Sequence, residues 1–344
     1  YVLGLYKWDS EYQLDQQLLY LLTAIGGLPP GAKSTPNTDH ETDSWAAFFE
    51  VDFAFAERWV LTLGGRYTDE EKKMTRSSEI DLFGDGSTLL PDFEATGEGD
   101  WDDFTPKASI SYDLTADQMM YLTYAEGFRS GGLNGRAGAP SSTEQPYDPE
   151  YVNMAEFGWK ATWWESRMTT SLAVFYQEYD DKQEEVVIPA PDSPQGQETV
   201  TLNAASATMQ GIEFELQALL LEGWTAGANF GYLDAEYDEF EIETLDGSKQ
   251  DLSDLELRRA PEYTYALYTT YEFNLGPGLT SLQAIYRYKD DYETTFLNDD
   301  FGHVNGHGIL DASISYYWNN WTFRAFGRNL TDENEVSACL LYTS

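Results

Sequence analysis

The sequence predicts an all-β fold, an antiparallel transmembrane β-barrel. Three observations carry that expectation. Apolar and polar residues alternate with a period of two, short turns and long polar loops interleave strictly along the chain, and aromatic residues gather near the strand ends. A soluble β-sandwich also alternates, but it should not place every long loop at one end over so many strands.

Thirteen strands are read, at 1–9, 44–56, 59–69, 101–113, 118–129, 151–164, 168–180, 208–220, 224–237, 261–273, 279–294, 308–318 and 321–329. The second is a clean alternator: Trp45, Ala47, Phe49, Val51, Phe53 and Phe55 share one face, and Glu50 and Asp52 lie on the other. Residues 56–58 turn it into the third. In the eighth, Ile212, Phe214, Leu216 and Ala218 oppose Glu213, Glu215 and Gln217. The tenth presents Tyr263, Tyr265, Leu267, Thr269, Tyr271 and Phe273 in one row. In the twelfth, Leu310, Ala312, Ile314, Tyr316 and Trp318 oppose Asp311, Ser313 and Ser315. The long connections are 10–43, 70–100, 130–150, 181–207, 238–260 and 295–307. In a bacterial barrel such loops face outward and the short turns face the periplasm. Carboxylates and guanidinium groups are costly in hydrocarbon, so the charged face lines the lumen. The lumen-lining candidates are Arg66, Glu156, Lys160, Glu213, Glu215, Arg324 and Arg328.

The chain has 344 residues, with 60 acidic against 20 basic side chains and a net charge of −40. A nucleic-acid partner is excluded, because phosphate contacts need a basic surface. Most of the acids read as solvated loop residues. The longest apolar stretch near the N-terminus, 18–28, is too short to span as a helix. A basic signal-peptide region is lacking, and residues 1–6 read as a strand under way, so the chain is expected to begin mid-protein. One Cys, Cys339, leaves no disulfide framework.

Five segments, in order, resemble the C-terminal barrel of TonB-dependent outer-membrane receptors. They are 61–71 (Leu-Thr-Leu-Gly-Gly-Arg-Tyr-Thr-Asp-Glu-Glu), 121–134 (Tyr-Leu-Thr-Tyr-Ala-Glu-Gly-Phe-Arg-Ser-Gly-Gly-Leu-Asn), 205–216 (Ala-Ser-Ala-Thr-Met-Gln-Gly-Ile-Glu-Phe-Glu-Leu), 259–263 (Arg-Ala-Pro-Glu-Tyr) and 327–333 (Gly-Arg-Asn-Leu-Thr-Asp-Glu). The pattern is most similar to the iron-complex receptor branch. The resemblance implies a barrel of about twenty-two strands, of which these are the ninth to the penultimate. It places the plug and its coupling box on a preceding segment. The expected domains are a partial barrel, 1–338, and a non-native tail, 339–344. That tail breaks the pattern and can be encoded by a sequencing-adapter end.

The resemblance implies energy-coupled uptake across the cell outer membrane. Its partners are outer-membrane lipid, the TonB complex acting through the plug, and a small ligand, a ferric siderophore before a glycan or cobalamin. Arg129, Asn134, Tyr147, Phe240 and Phe296 are candidate ligand-loop residues. Arg66, Arg129 and Arg328 sit near glycines, where ion pairs across the wall are the simpler reading.

A passive porin is the competing class, and a hydrolase lacks a nucleophile–base arrangement around Ser166 or Ser171. No cofactor, catalytic residue or metal ligand is expected. His303 and His307 have the i, i+4 spacing of a helical metal site, but Gly302, Gly306 and Gly308 argue for a turn. The acids of 234–246 are spaced unlike an EF-hand and read as a solvated loop.

Overall fold

A computed structural model describes residues 1–19, 31–87, 89–90, 94–190, 197–243, 248–298 and 302–334. Thirteen long strands form one antiparallel meander, each paired with its sequence neighbours. They are β1 (Val2–Asp15), β2 (Asn37–Ala56), β3 (Trp59–Ser77), β4 (Glu94–Thr115), β5 (Gln118–Arg129), β6 (Glu150–Trp163) and β7 (Met168–Pro189). Then come β8 (Gln197–Leu221), β9 (Trp224–Glu243), β10 (Tyr263–Leu275), β11 (Gly278–Lys289), β12 (His307–Trp318) and β13 (Trp321–Gly327). Among the described residues, β1 pairs only with β2 and β13 only with β12, so the sheet is an open barrel wall. No helix among them is long and apolar enough to cross a membrane, which says nothing of crossing by strands.

The expected strands recur with moved boundaries: several are longer at their loop ends, while β11 stops at Lys289 and β13 at Gly327, short of the expected 294 and 329. β2, β3, β4, β7 and β8 run seven to eleven residues further at their loop ends than alternation alone marks, so much of each of those connections is ladder. In β2 the extension is polar on both faces, with Thr38, Asp39, His40 and Glu41, whereas in β7 and β8 it also carries buried apolar residues, Val186 opposite Val200. Pairing there satisfies backbone groups, and in β2 it does so without an apolar face to announce it. The same correction applies to 234–243, which is the end of β9 and not a free loop. The remainder of that acidic stretch, and the tail with Cys339, lie outside the described residues.

The short turns use residues that tolerate positive φ. Asn319 (φ 51°) turns β12 into β13, and Gly223 (φ 76°) turns β8 into β9. A Cβ at Gly223 would strike the Glu272 carbonyl oxygen, so the turn has no room for one.

Cross-strand pairing assigns the faces, since directly opposed residues point the same way. Phe157, Val174, Ile212, Tyr232 and Tyr263 form one continuous row across β6–β10. Leu216, Ala228 and Leu267 form another. Apolar members of this face such as Leu122, Phe157, Val174, Ile212, Leu267 and Ile314 are exposed, an arrangement stable only against lipid. Aromatic rings close the face at its turn end. Trp59 packs on Tyr112 (4.5 Å between centroids), Trp159 on Trp163 (5.7 Å) and Trp224 on Tyr271 (6.1 Å). At its loop end Trp45 meets Tyr67 (5.5 Å), Tyr232 meets Tyr263 (5.3 Å) and Tyr265 meets Tyr288 (5.0 Å). Two such girdles are the interfacial belts of an outer-membrane barrel.

Candidate functional site: the inner wall and the outer mouth

The opposite face is polar. Lys160, Ser171, Glu215, Asn229, Ala266 and Arg287 oppose one another in turn across β6–β11. Glu213, Gly231, Thr264, Lys289 and His307 form the adjacent row across β8–β12. This face carries the recesses of the wall. One of about 640 Å³ is lined by Lys160, Ser171, Glu215, Gln217 and Asn229. A second, of about 490 Å³, is lined by Glu213, Glu215, Arg287, Lys289 and His307. Near the last strand a third, of about 360 Å³, is lined by Gln283, Asp311, Arg324, Phe326 and Arg328.

The candidate wall residues differ in what holds them. Glu156 accepts a hydrogen bond from the Tyr121 hydroxyl at 2.7 Å, and the Lys160 ammonium lies 5.6 Å from the centre of the same ring. The Tyr121 ring occupies the space that a Cβ at Gly158 would fill. Arg66 donates to Thr68 Oγ1 at 2.9 Å and stacks over Tyr6. Arg324 and Arg328 flank the ring of Phe326 at 5.9 and 5.8 Å. Among the described residues no carboxylate lies within 4.0 Å of Arg66 or Arg328, so the expected ion pairs are replaced by aromatic contacts. Arg129 does pair, with Glu150 at 3.7 Å, and the wall's closest new pair is Arg287 with Asp311 at 2.5 Å.

At the mouth three ligand-loop candidates pack into the protein, and two of them, Phe240 and Asn134, are buried and so corrected as ligand contacts. Phe240 is fully enclosed with Val186, Val200, Ala207, Tyr237 and Leu257, and Phe296 packs against that cluster from its edge. No face of Phe240 is left for a ligand. Asn134 is buried, accepting from the Thr201 amide at 2.7 Å, so its amide group fastens backbone. Tyr147 is half-buried over Gly132, and burial pushes its hydroxyl above the ordinary value; Arg129 remains exposed.

Among the carboxylates buried in the described residues, Glu184 and Glu198 at the mouth escaped the sequence reading, as did Glu293. Glu184 meets Lys182, Tyr237 (2.8 Å) and Arg258 (2.5 Å). Glu198 accepts from the Gly138 and Ala139 amides at 2.8 and 3.1 Å and from the Ser142 hydroxyl. Apart from Lys182, two residues before Glu184 on β7, the partners of Glu184 and Glu198 stand more than fifty residues away in the chain and leave no local signal. His303 is not helical: it opens a short strand and pairs with Glu293, while His307 Nδ1 faces the Asn305 carbonyl at 3.0 Å.

A family profile described as TonB dependent receptor-like, beta-barrel matches residues 3–330. The chain belongs to that family. The protein named probable TonB-dependent siderophore receptor PiuA, of Acinetobacter baumannii, is 21% identical over 267 residues, 74% of this chain and 33% of the relative. The ferric-pyoverdine BN7/BN8 receptor of Pseudomonas putida is 29% identical over 192 residues, 56% of this chain and 21% of the relative. Among solved structures, the ferric yersiniabactin uptake receptor FyuA of Yersinia pestis superposes with a TM-score of 0.74 at 17% identity. That match covers 98% of this chain and 48% of FyuA. The PiuA structure matches with a TM-score of 0.66, over 89% of this chain and 42% of PiuA. The chain thus spans a third or less of the sequence relatives named here and about half of these solved chains. As a TonB-dependent receptor barrel, the chain is an outer-membrane protein.

Proposed function

We propose that this chain is the wall of an energy-coupled receptor that takes up a ferric siderophore across the outer membrane. The observation that carries the reading is the family membership, joined to relatives whose names are those of ferric-siderophore receptors. The placement of charge supports it. Although the net charge is −40, the inner face of β11–β13 carries Arg287, Lys289, Arg324 and Arg328 against Asp311. An anionic chelate therefore meets a locally basic wall inside an acidic protein. Arg66, Glu156, Lys160, Glu213 and Glu215 complete a polar lining against which a plug moves, driven from the inner membrane. Arg129, exposed beside its partner Glu150, and the half-buried Tyr147 are the mouth residues offered to a ligand.

Uptake of a radiolabelled ferric siderophore by cells carrying the intact protein tests this. Saturable uptake that collapses when the proton-motive force is dissipated is the expected result. Undiminished uptake without that force would favour a passive porin, and induction by a sugar in place of iron limitation would favour a glycan.

A further inference from the structure

The connection between β5 and β6 crosses the inner face instead of rising away from it. Its ends leave neighbouring strands, yet it reaches back to β3 on one side and forward to β8 on the other. On the β3 side, the buried Arg76 donates to the Ala137 carbonyl at 2.9 Å and to the Gly135 carbonyl. Lys72 donates to Ser130 Oγ and the Gly131 carbonyl, both at 2.7 Å. On the β8 side, Glu198 receives the Gly138 and Ala139 amides, and Asn134 receives the Thr201 amide. Asn203 donates to the Asp148 and Pro149 carbonyls at 2.8 and 3.0 Å.

The face is settled by register. Arg76 and Lys72 oppose Ala95 and Gly99, and β3–β4 pairing continues without a shift down to Arg66–Thr105 and Gly64–Lys107. Lys107 and Ser109 then join the row of Ala125, Thr123 and Glu156. The anchors therefore stand on the polar, inner side. Two inner-face glycines make room: a Cβ at Gly97 would meet Leu133 Cδ2 at 2.7 Å and the Thr143 carbonyl, and one at Gly99 would meet Pro146 at 3.3 Å. Leu133, Ala137, Ala139 and Thr143 are buried beneath the crossing, while Ser141, Glu144, Gln145 and Pro146 are exposed along it.

We propose that residues 130–147 form a fixed shelf across the outward mouth of the barrel. It is a built-in constriction that decides which ligands reach the inner wall, and it does not swing as a lid. Buried polar groups satisfied on both flanks hold a segment in one arrangement, because releasing either flank strands desolvated donors and acceptors. The role in ligand passage rests on the receptor reading above; the fixity does not.

Two measurements separate these. In the intact, unsubstituted protein, amide hydrogen exchange needs no cargo. The amides of Gly132, Gly138, Ala139 and Tyr147 should exchange as slowly as those of the adjoining strands, and exchange at free-loop rates would overturn the shelf. The second uses N134C/T201C in a Cys339→Ser background, comparing siderophore uptake with the pair oxidised and reduced. A fixed shelf predicts uptake within about twofold in the two states. A loss of tenfold or more on oxidation, restored by reductant, would show that the segment must move. Slow exchange together with absent uptake by the unsubstituted protein would leave the shelf standing and overturn the siderophore reading.

Discussion

The Tyr237 hydroxyl donates to Glu184 Oε1 at 2.8 Å inside a cluster whose other members are aliphatic and aromatic. Glu184 is nearly inaccessible, and Lys182 and Arg258 complete its shell from β7 and from the loop after β9. Burial alone would raise the Glu184 carboxyl, but the Lys182 charge and hydrogen bond, with Arg258, hold it below the ordinary 4.5. Tyr237 moves the other way: burial first, then the Glu184 charge, pushes its hydroxyl up. The pair thus stays carboxylate and phenol, and the outer strand ends are joined through a buried charge.

Glu184→Gln should loosen this unit, since breaking a buried pair from one side costs about 3–5 kcal/mol. Proteolysis of the strand ends near 182–205 should accelerate by orders of magnitude, with the membrane strands intact. Because the folded carboxyl lies below 4.5, its contribution is complete above that pH and fades as pH falls through the folded value. Unchanged proteolysis in the variant would show that the cluster is held by its apolar members alone.

His303 gives a pH dependence of opposite sign. Its Nδ1 lies 2.7 Å from Glu293 Oε1, and this hydrogen bond, opposed by desolvation and aided by the charges of Glu293, Asp291 and Glu256, raises it above 6.5. The pairing of Tyr292–Glu293 with His303–Val304 should therefore be firmest below pH 6.5 and weaken as pH rises through the folded value. Amide exchange at Val304 should be faster at pH 8.5 than at pH 6 after correction for intrinsic rates. The variant H303Q should abolish the difference; its persistence would assign the effect elsewhere.

Leu267 and Glu215 lie at similar depth on opposite faces of the wall, through the Leu216–Ala228–Leu267 and Glu215–Asn229–Ala266 rows. Leu267→Arg places a guanidinium in lipid and should cost about 2–4 kcal/mol. Glu215→Arg stays on the polar face and should cost far less. Refolding titrations in bilayers measure both, and equal costs would mean that the two faces are misassigned.

How much of this was legible depended on whether a residue's role was local. Alternation at Phe157, Val174 and Ile212 reports a face directly, so the strands of the membrane band and their faces follow from the sequence. In the extensions of β7 and β8 the buried positions alternate but mix acids with aliphatics, Glu184 and Val186 facing Leu202 and Val200, so hydrophobicity does not mark the buried face. Phe240 shows the limit: an aromatic in an acidic stretch looks free until Val186, Val200 and Leu257 are brought around it from other connections. Glu198 shows the same from the polar side, since its amide donors stand some sixty residues earlier in the chain. The mouth was misread because its core is built from long-range contacts, which leave no short-range pattern.

The outer edge of the lipid band is marked by a repeated pair. Tyr124 donates to Glu126 at 2.9 Å, Tyr176 to Glu178 at 3.0 Å and Tyr288 to Asp290 at 3.0 Å, each two residues along the same outward face. Tyr67 reaches Asp102 on the adjacent strand at 3.0 Å. A ring that is apolar in body and polar at its tip suits the interface, and a carboxylate just beyond it cannot enter hydrocarbon cheaply. The boundary therefore falls between Leu122 and Glu126, which face the same way on β5. Leu122→Cys should resist an aqueous maleimide and Glu126→Cys should react readily, in the intact protein in native membranes. Glu126→Leu should extend the apolar band by one outward position, about 5 Å at the usual strand rise and tilt. Aqueous labelling of Leu122→Cys as fast as Glu126→Cys would place the boundary lower and detach the tyrosine–carboxylate pairs from the membrane surface.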